Sequence, residues 1–220
     1  MSGKILILLS ERVDEYISTI PEDSLPRVIQ GEGINIIIGG KGNDVYNGEY
    51  SIIIDRGGDD LYRDCGGATA LDNGTGLSLI IDMKGDDRYI SDKLFRISSG
   101  FLGCAVIGDR EGNDCYEGNH FSIASGYMGC GIIIDENGMD TYRGGIFSTA
   151  AANFGLGLLI DYTGNDYYSV MCYGEGFSST AGYGLLADKQ GSDIYYSGGR
   201  YYHKPLQPES FQSLSQGFSI

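Results

Sequence analysis

Short apolar runs recur along the chain at a nearly fixed spacing, and each is closed by the same polar sequence. An apolar triplet leads into Asp-x-x-Gly-x-Asp-x-Tyr. The copies read IIIGGKGNDVY ending at Tyr46, IIIDRGGDDLY at Tyr62, LIIDMKGDDRY at Tyr89, AVIGDREGNDCY at Tyr116, IIIDENGMDTY at Tyr142, LLIDYTGNDYY at Tyr168 and LLADKQGSDIY at Tyr195. Successive tyrosines lie 16, 27, 27, 26, 26 and 27 residues apart. Brief Ile-rich runs closed by turn residues predict a strand and a tight turn. A period of about 26 residues has no room for a pair of ordinary helices. It is also too short for a four-stranded propeller blade of ~40–50 residues.

A second pattern sits between the copies: FRISSGF from Phe95, FSIASGY from Phe121, FSTAAANF from Phe147, FSSTAGY from Phe177 and FQSLSQGF from Phe211. Its small residues in rough alternation predict another strand. Stacking such units in parallel gives an all-β fold, a parallel β-helix or β-solenoid of about seven rungs, each ~4.8 Å above the last. The 16-residue first step predicts a narrower first rung. Residues 34–220 form the repeat domain, with an incomplete last rung. Residues 1–33 are read as a capping segment, partly helical. Ile5, Leu6, Leu9, Val13, Tyr16, Ile17 and Ile20 fall on one helical face, and Pro21 and Pro26 end it. Such a segment would cover the open end of the sheets.

Composition narrows the function. Thirty acidic against 15 basic residues leave a net charge of −15, which argues against nucleic acid or anionic lipid as partner. No apolar run approaches the ~18 residues of a membrane span. Lys4 to Leu9 is too short for a signal-peptide core. Five cysteines without a CxxC pattern predict reduced thiols and a cytoplasmic protein. Cys104 and Cys130, 26 residues apart, are expected on adjacent rungs, pointing inward.

The repeat aligns two rows of aspartates. The first is Asp55, Asp82, Asp109, Asp135, Asp161 and Asp188. The second is Asp44, Asp60, Asp87, Asp114, Asp140, Asp166 and Asp193. In a parallel stack each carboxylate lies ~5 Å from its copies. At an effective dielectric of 20, two such charges repel by ~3–4 kcal/mol. Either backbone N–H groups in the turns offset this, or cations sit between rungs. Hard Ca²⁺, with 6–8 oxygen ligands, suits carboxylates and turn carbonyls. The shared glycine (Gly42, Gly58, Gly85, Gly112, Gly138, Gly164, Gly191) needs either φ > 0 or the absence of a Cβ. The shared tyrosine is expected to stack on its own copies.

The first copy, Gly39-Gly40-Lys41-Gly42-Asn43-Asp44-Val45-Tyr46, resembles the haemolysin-type calcium-binding nonapeptide G-G-x-G-x-D-x-U-x. Later copies keep G-x-D-x-Y and carry Asp at the first position. The resemblance covers about 8 residues in every 26. It implies a parallel β-roll with Ca²⁺ held between turns by the second-row aspartates and loop carbonyls. The family's motif recurs every 9 residues, so here only one side of each rung matches. Family members are usually exported, and calcium binding would place this protein outside the cell.

The remaining candidates cluster late in the chain. Tyr195 to Phe211 contains an insertion carrying Arg200, Tyr201, Tyr202, His203 and Lys204. A basic, aromatic loop on an acidic rod suits a polysaccharide or a protein partner. The unfinished last rung suits a second copy of the chain or another protein. The resulting expectation is a structural or binding scaffold stabilised by Ca²⁺. The alternative is a carbohydrate-active β-helix enzyme of lyase, hydrolase or epimerase type, with its site near residues 200–209.

Overall fold

The computed structural model describes residues 15–31, 33–48, 50–69 and 76–220. It is a parallel β-solenoid with three faces. The first face stacks Ile34–Ile38, Ile52–Ile54, Leu77–Ile81, Cys104–Asp109, Cys130–Asp135, Leu156–Asp161 and Tyr183–Asp188 in parallel. The second stacks Val45–Asn47, Leu61–Arg63, Arg88–Ser91, Cys115–Gly118, Thr141–Ile146, Tyr167–Cys172 and Ile194–Ser197. Among the described residues the third holds five strands: Gly67–Thr69, Ser99–Phe101, Ser125–Tyr127, Ala152–Asn153 and Ser178–Ser179. The expected seven rungs are therefore five complete turns flanked by partial ones. The 16-residue first step has its cause here, since among the described residues no third-face strand lies between Val45–Asn47 and Ile52–Ile54.

In most rungs one position of the apolar run forms the interior line, though Ile38 is buried beside Ile37 in the first rung. Ile53, Ile80, Ile107, Ile133 and Leu159 form one buried line. Strand alternation explains this: in Cys104–Asp109 the buried positions are Ala105, Ile107 and Asp109. Cys104 pairs with Cys130 in register, but both lie on the opposite, partly exposed side of their strands. The expected inward placement was one residue out of phase. All five cysteines are free.

The tyrosines stack as expected. Ring centroids from Tyr46 to Tyr195 are 4.5 to 4.9 Å apart and nearly parallel. Each such pair contributes roughly 0.5–1.5 kcal/mol beyond area burial. The register pairs tyrosine with tyrosine on every step.

The second pattern is a corner before it is a strand. Phe95, Ile97 and Ser98 have φ of 55°, and Phe121, Ile123 and Ala124 have φ of 53–54°. These left-handed residues turn the chain, and pairing begins only at Ser99 and Ser125. One alignment also changes. Ala152 pairs with Ser178, so Tyr173, not Phe177, occupies the position of Phe147. Likewise Ser178 bridges Ser219 and its N–H donates to the Phe218 carbonyl at 3.0 Å. Residues 213–220 thus begin another third-face turn, with Phe218 rather than Phe211 facing Phe177 at 6.4 Å.

At the other end a short helical turn and a strand precede the first rung, and the strand pairs with it. Arg27–Gly31 pairs antiparallel with Ile34–Ile38. Residues 15–18 form one helical turn. Ile17 and Ile20 are buried, but Tyr16 is exposed and leaves the predicted face. Ile5, Leu6, Leu9 and Val13 lie outside the described residues. Arg56 fastens this segment, donating to the Ile20 carbonyl at 3.1 Å and pairing with Glu22 at 3.1 Å.

From Gly58 onward the shared glycine is required for space, because a Cβ would meet the carbonyl of the preceding copy. A Cβ on Gly138 would overlap the Gly112 carbonyl oxygen and lie 2.6 Å from Asp140 Oδ1. Gly138→Ala is therefore expected to cost about 2–3 kcal/mol, a melting shift of roughly 5–10 °C. Gly42→Ala, with open space at its Cβ, is expected to move the midpoint by no more than ~2 °C. A thermal melt of both variants checks this, and equal shifts would remove the steric account.

Candidate metal centre in the aspartate ladders

Both aspartate rows face inward. The ten residues from Asp55 to Asp166 in the two rows are 0 to 2% exposed. The first row closes the first-face strands from Ile52–Ile54 onward. The second row lies in the turn before each second-face strand. The rungs bring the rows together at one corner of the solenoid.

Each row is partly satisfied by its neighbours. In the first row, Oδ2 accepts the hydroxyl of the ladder tyrosine one rung earlier. Tyr89 donates to Asp109 at 2.7 Å, Tyr116 to Asp135 at 2.8 Å and Tyr142 to Asp161 at 2.9 Å. Tyr46 and Tyr62 bond Asp55 and Asp82 in the same way. In the second row, Oδ1 accepts the backbone N–H of its counterpart one rung earlier. The N–H groups of Asp87, Asp114 and Asp140 donate to Asp114, Asp140 and Asp166, each at 2.7 Å. Tyrosine and backbone N–H are thus the ladder's own counter-dipoles.

They do not suffice. Asp60, Asp87, Asp114, Asp140 and Asp166 each leave Oδ2 buried without a partner, and Asp109, Asp135 and Asp161 each leave Oδ1 so. The turn bond that Oδ1 of Asp55 and Asp82 receives from Gly57 and Lys84, at 2.7 and 2.9 Å, is missing at those three. A buried polar atom without a partner costs about 1–3 kcal/mol, more when charged.

The aspartates that carry these oxygens cluster. Five carboxylate triads place one ligand atom from each member within 4.8 Å of the others: Asp55, Asp60 and Asp82; Asp82, Asp87 and Asp109; Asp114, Asp135 and Asp140; Asp140, Asp161 and Asp166; Asp166, Asp188 and Asp193. Every triad includes a first-row aspartate, the residue absent from the nonapeptide pattern. Among the described residues, Asp44 joins no triad. Its Oδ2 accepts the Gly40 N–H at 3.3 Å.

Electrostatics marks the same corner. Burial pushes Asp87 up to about 10, Asp114 to about 11 and Asp140 to about 9, with the neighbouring first-row charge adding to it. Burial likewise raises Asp55 and Asp161 to about 7, and Asp60, Asp82, Asp135 and Asp166 to about 6. Asp109 is raised too, by burial first and then by Asp135. Either a proton or a cation must neutralise this corner. Three carboxylates at this spacing form a hard, anionic oxygen cage suited to a divalent cation.

Comparison with family models, with curated proteins and with solved structures finds no match. The reading of the site therefore rests on its own geometry.

The insertion stands apart from the ladders. Tyr202–His203 and Gln207–Phe211 form an antiparallel hairpin. Tyr202 stacks on Phe211 at 4.6 Å, and Lys204 Nζ lies 5.9 Å from the Tyr202 ring centre. Arg200 lines a different groove, with Glu117, Arg143 and Tyr196. The other histidine is structural, since His120 Nδ1 accepts the Ile146 N–H at 2.9 Å. Among the described residues no helix is long and apolar enough to cross a membrane.

Sequence reading missed one functional candidate. Glu175 is 4% exposed, and both its carboxylate oxygens lack a partner. The signal was a break in the repeat, hidden because YGEG was not aligned with FSTA.

Proposed function

We propose that this chain is a rigid β-solenoid scaffold in which Ca²⁺ ions neutralise the aspartate ladders. The observation that carries the reading is that eight aspartates with a buried carboxylate oxygen that finds no donor in the fold all belong to closely spaced carboxylate triads. Tyrosine hydroxyls and backbone N–H groups occupy the other oxygens, so the free ones are the atoms a cation would take. The first-row aspartate supplies what a motif on one side of each rung would otherwise lack. The choice of Ca²⁺ comes from the haemolysin-type resemblance, whose ligand positions are the second-row aspartates; Asp44, in the best-matched copy, stays outside the triads. On this reading the working protein sits where calcium is millimolar, outside the cell.

The test is a thermal melt of metal-stripped protein with and without millimolar Ca²⁺, with Mg²⁺ as control. A native-state site filled to 100 times its Kd adds roughly 2.7 kcal/mol, or about 5–10 °C for a chain of this size. A Ca²⁺-specific rise of at least that size is expected. Mg²⁺ demands near-ideal octahedral geometry and keeps its waters, so it should do much less. No shift with either ion would end the calcium reading.

A further inference from the structure

The third face changes chemistry along its interior. The interior line of the third face runs Ile97, Ile123, Thr149 and Glu175, in register by 26-residue steps. The Gly176 N–H donates to the Thr149 carbonyl at 3.3 Å as the Ala150 N–H does to Ile123 at 3.0 Å. The line is apolar in the middle turns and ends in a carboxylate. Continuing the register places Gln216 after Glu175, because the Gly217 N–H donates to the Glu175 carbonyl at 2.9 Å.

Glu175 opens into a cavity of about 530 Å³ at the end of the lumen. Leu185 and Leu186 form an apolar wall, and Asp188, Tyr195 and Gln216 complete the rim. Tyr195 is the last ring of the tyrosine stack. Tyr168 covers one face at 4.8 Å, and the residue is 41% exposed. Asp188 already accepts the hydroxyls of Tyr168 and Tyr195, at 3.2 and 2.9 Å. Glu175 is thus the less satisfied acid: no donor meets either oxygen at full hydrogen-bond geometry, and burial pushes it up to about 7 with the Gln216 side chain partly offsetting the rise. A hydrophobic residue at this position would serve packing better, as it does at Ile97 and Ile123.

We infer that this end cavity binds an organic cation, an ammonium or guanidinium group on an apolar body, with Glu175 as its counter-charge. The carboxylate supplies the ion pair, the exposed Tyr195 ring a cation–π face, and the leucines a seat for the apolar body. A metal ion fits less well, because the carboxylate triads end at Asp166, Asp188 and Asp193 and do not take in Glu175. The inference is independent of calcium in the ladders, though Asp188 borders both sites. The same cationic chemistry can arrive as a free amine or as a lysine or arginine side chain of another chain.

The experiment is calorimetric titration of the full chain with n-butylamine, n-butylguanidine and neutral n-pentanol. It is run once in chelator and once in saturating Ca²⁺. A capped Gly-Gly-Lys-Gly-Gly peptide forms a further arm. The cations are expected to bind at least about tenfold more tightly than pentanol, a difference of about 1.4 kcal/mol, in both media. Glu175→Gln is expected to abolish that preference. Tighter binding of the peptide assigns the ligand to a partner's side chain, and tighter binding of butylamine assigns it to a free amine. Glu175→Thr, which repeats the residue at Thr149, is expected to melt higher than the ligand-free parent. Equal binding of pentanol, unchanged affinity in Glu175→Gln, or a lower melting point for Glu175→Thr would each overturn the inference. The last outcome would show that the carboxylate serves the fold.

Discussion

In chelator, the protein is expected to lose stability as pH rises from about 4 toward 10; in millimolar Ca²⁺ it is expected to gain stability over the lower part of that range. The sign follows from the ladder aspartates. Their folded-state values lie above the ordinary 3.8, from about 6 at Asp60, Asp82, Asp135 and Asp166 to about 11 at Asp114. Without metal, the folded chain holds protons that the unfolded chain has released. That contribution is fully present below the unfolded value near 4 and is lost as pH climbs through the folded values. A first loss falls between about pH 4 and 7, through the residues at 6 to 7. A second extends toward 9 to 11 through Asp140, Asp87 and Asp114. Each net proton costs about 1.4 kcal/mol per pH unit. The aspartates are coupled along the stack, so their effects do not simply add. A net excess of about one proton between pH 4 and 8 still means a loss on the order of 5 kcal/mol. A bound divalent cation inverts the logic by favouring the charged carboxylate, which depresses the folded-state values. Stability is then present above the unfolded value and lost as pH falls. Denaturant titrations at five pH values in both media measure this directly. Parallel profiles would mean that calcium does not enter the ladders.

Much of the architecture was legible because each rung repeats the same physics. A fixed tyrosine spacing can persist only if the rings stack, and stacked rings impose a parallel register on both flanking strands. The aspartate rows followed from that register. The third face was harder to read. Its residues turn through left-handed conformations at Phe95, Ile97 and Ser98, which apolar and hydroxyl side chains do not advertise. Its aromatic positions are also interchangeable, so Phe177 displaced Tyr173 in the alignment. That slip of four residues concealed Glu175 among turn glycines. The aspartates posed another difficulty. Sequence could weigh backbone donors against cations, but only the geometry shows that donors reach one oxygen of Asp87 and Asp114 and leave the other bare.

Asp114→Asn should change sign with the medium. Asp114 Oδ1 accepts the Asp87 N–H at 2.7 Å, and its Oδ2 lies buried without a partner near Asp135 and Asp140. An asparagine carbonyl can keep the first bond. Its amide NH₂ would then stand where the bare oxygen was, facing two carboxylates as a donor. In chelator at pH 8 the substitution replaces an acid that resists ionisation with a neutral group of the same shape. Stability is expected to stay level or rise by about 1 kcal/mol. In saturating Ca²⁺ the same change removes one of three carboxylate ligands. The calcium-induced gain of that triad, roughly 2.7 kcal/mol at 100 times Kd, should then be largely lost. Asp92→Asn, at an exposed position outside the triads, should change little in either medium. Thermal melts of the three proteins in the two media form a closed cycle. Crossing curves for Asp114→Asn identify the bare oxygen as a cation ligand. A variant less stable by the same amount in both media would make Asp114 a turn acceptor that evolution left half-satisfied.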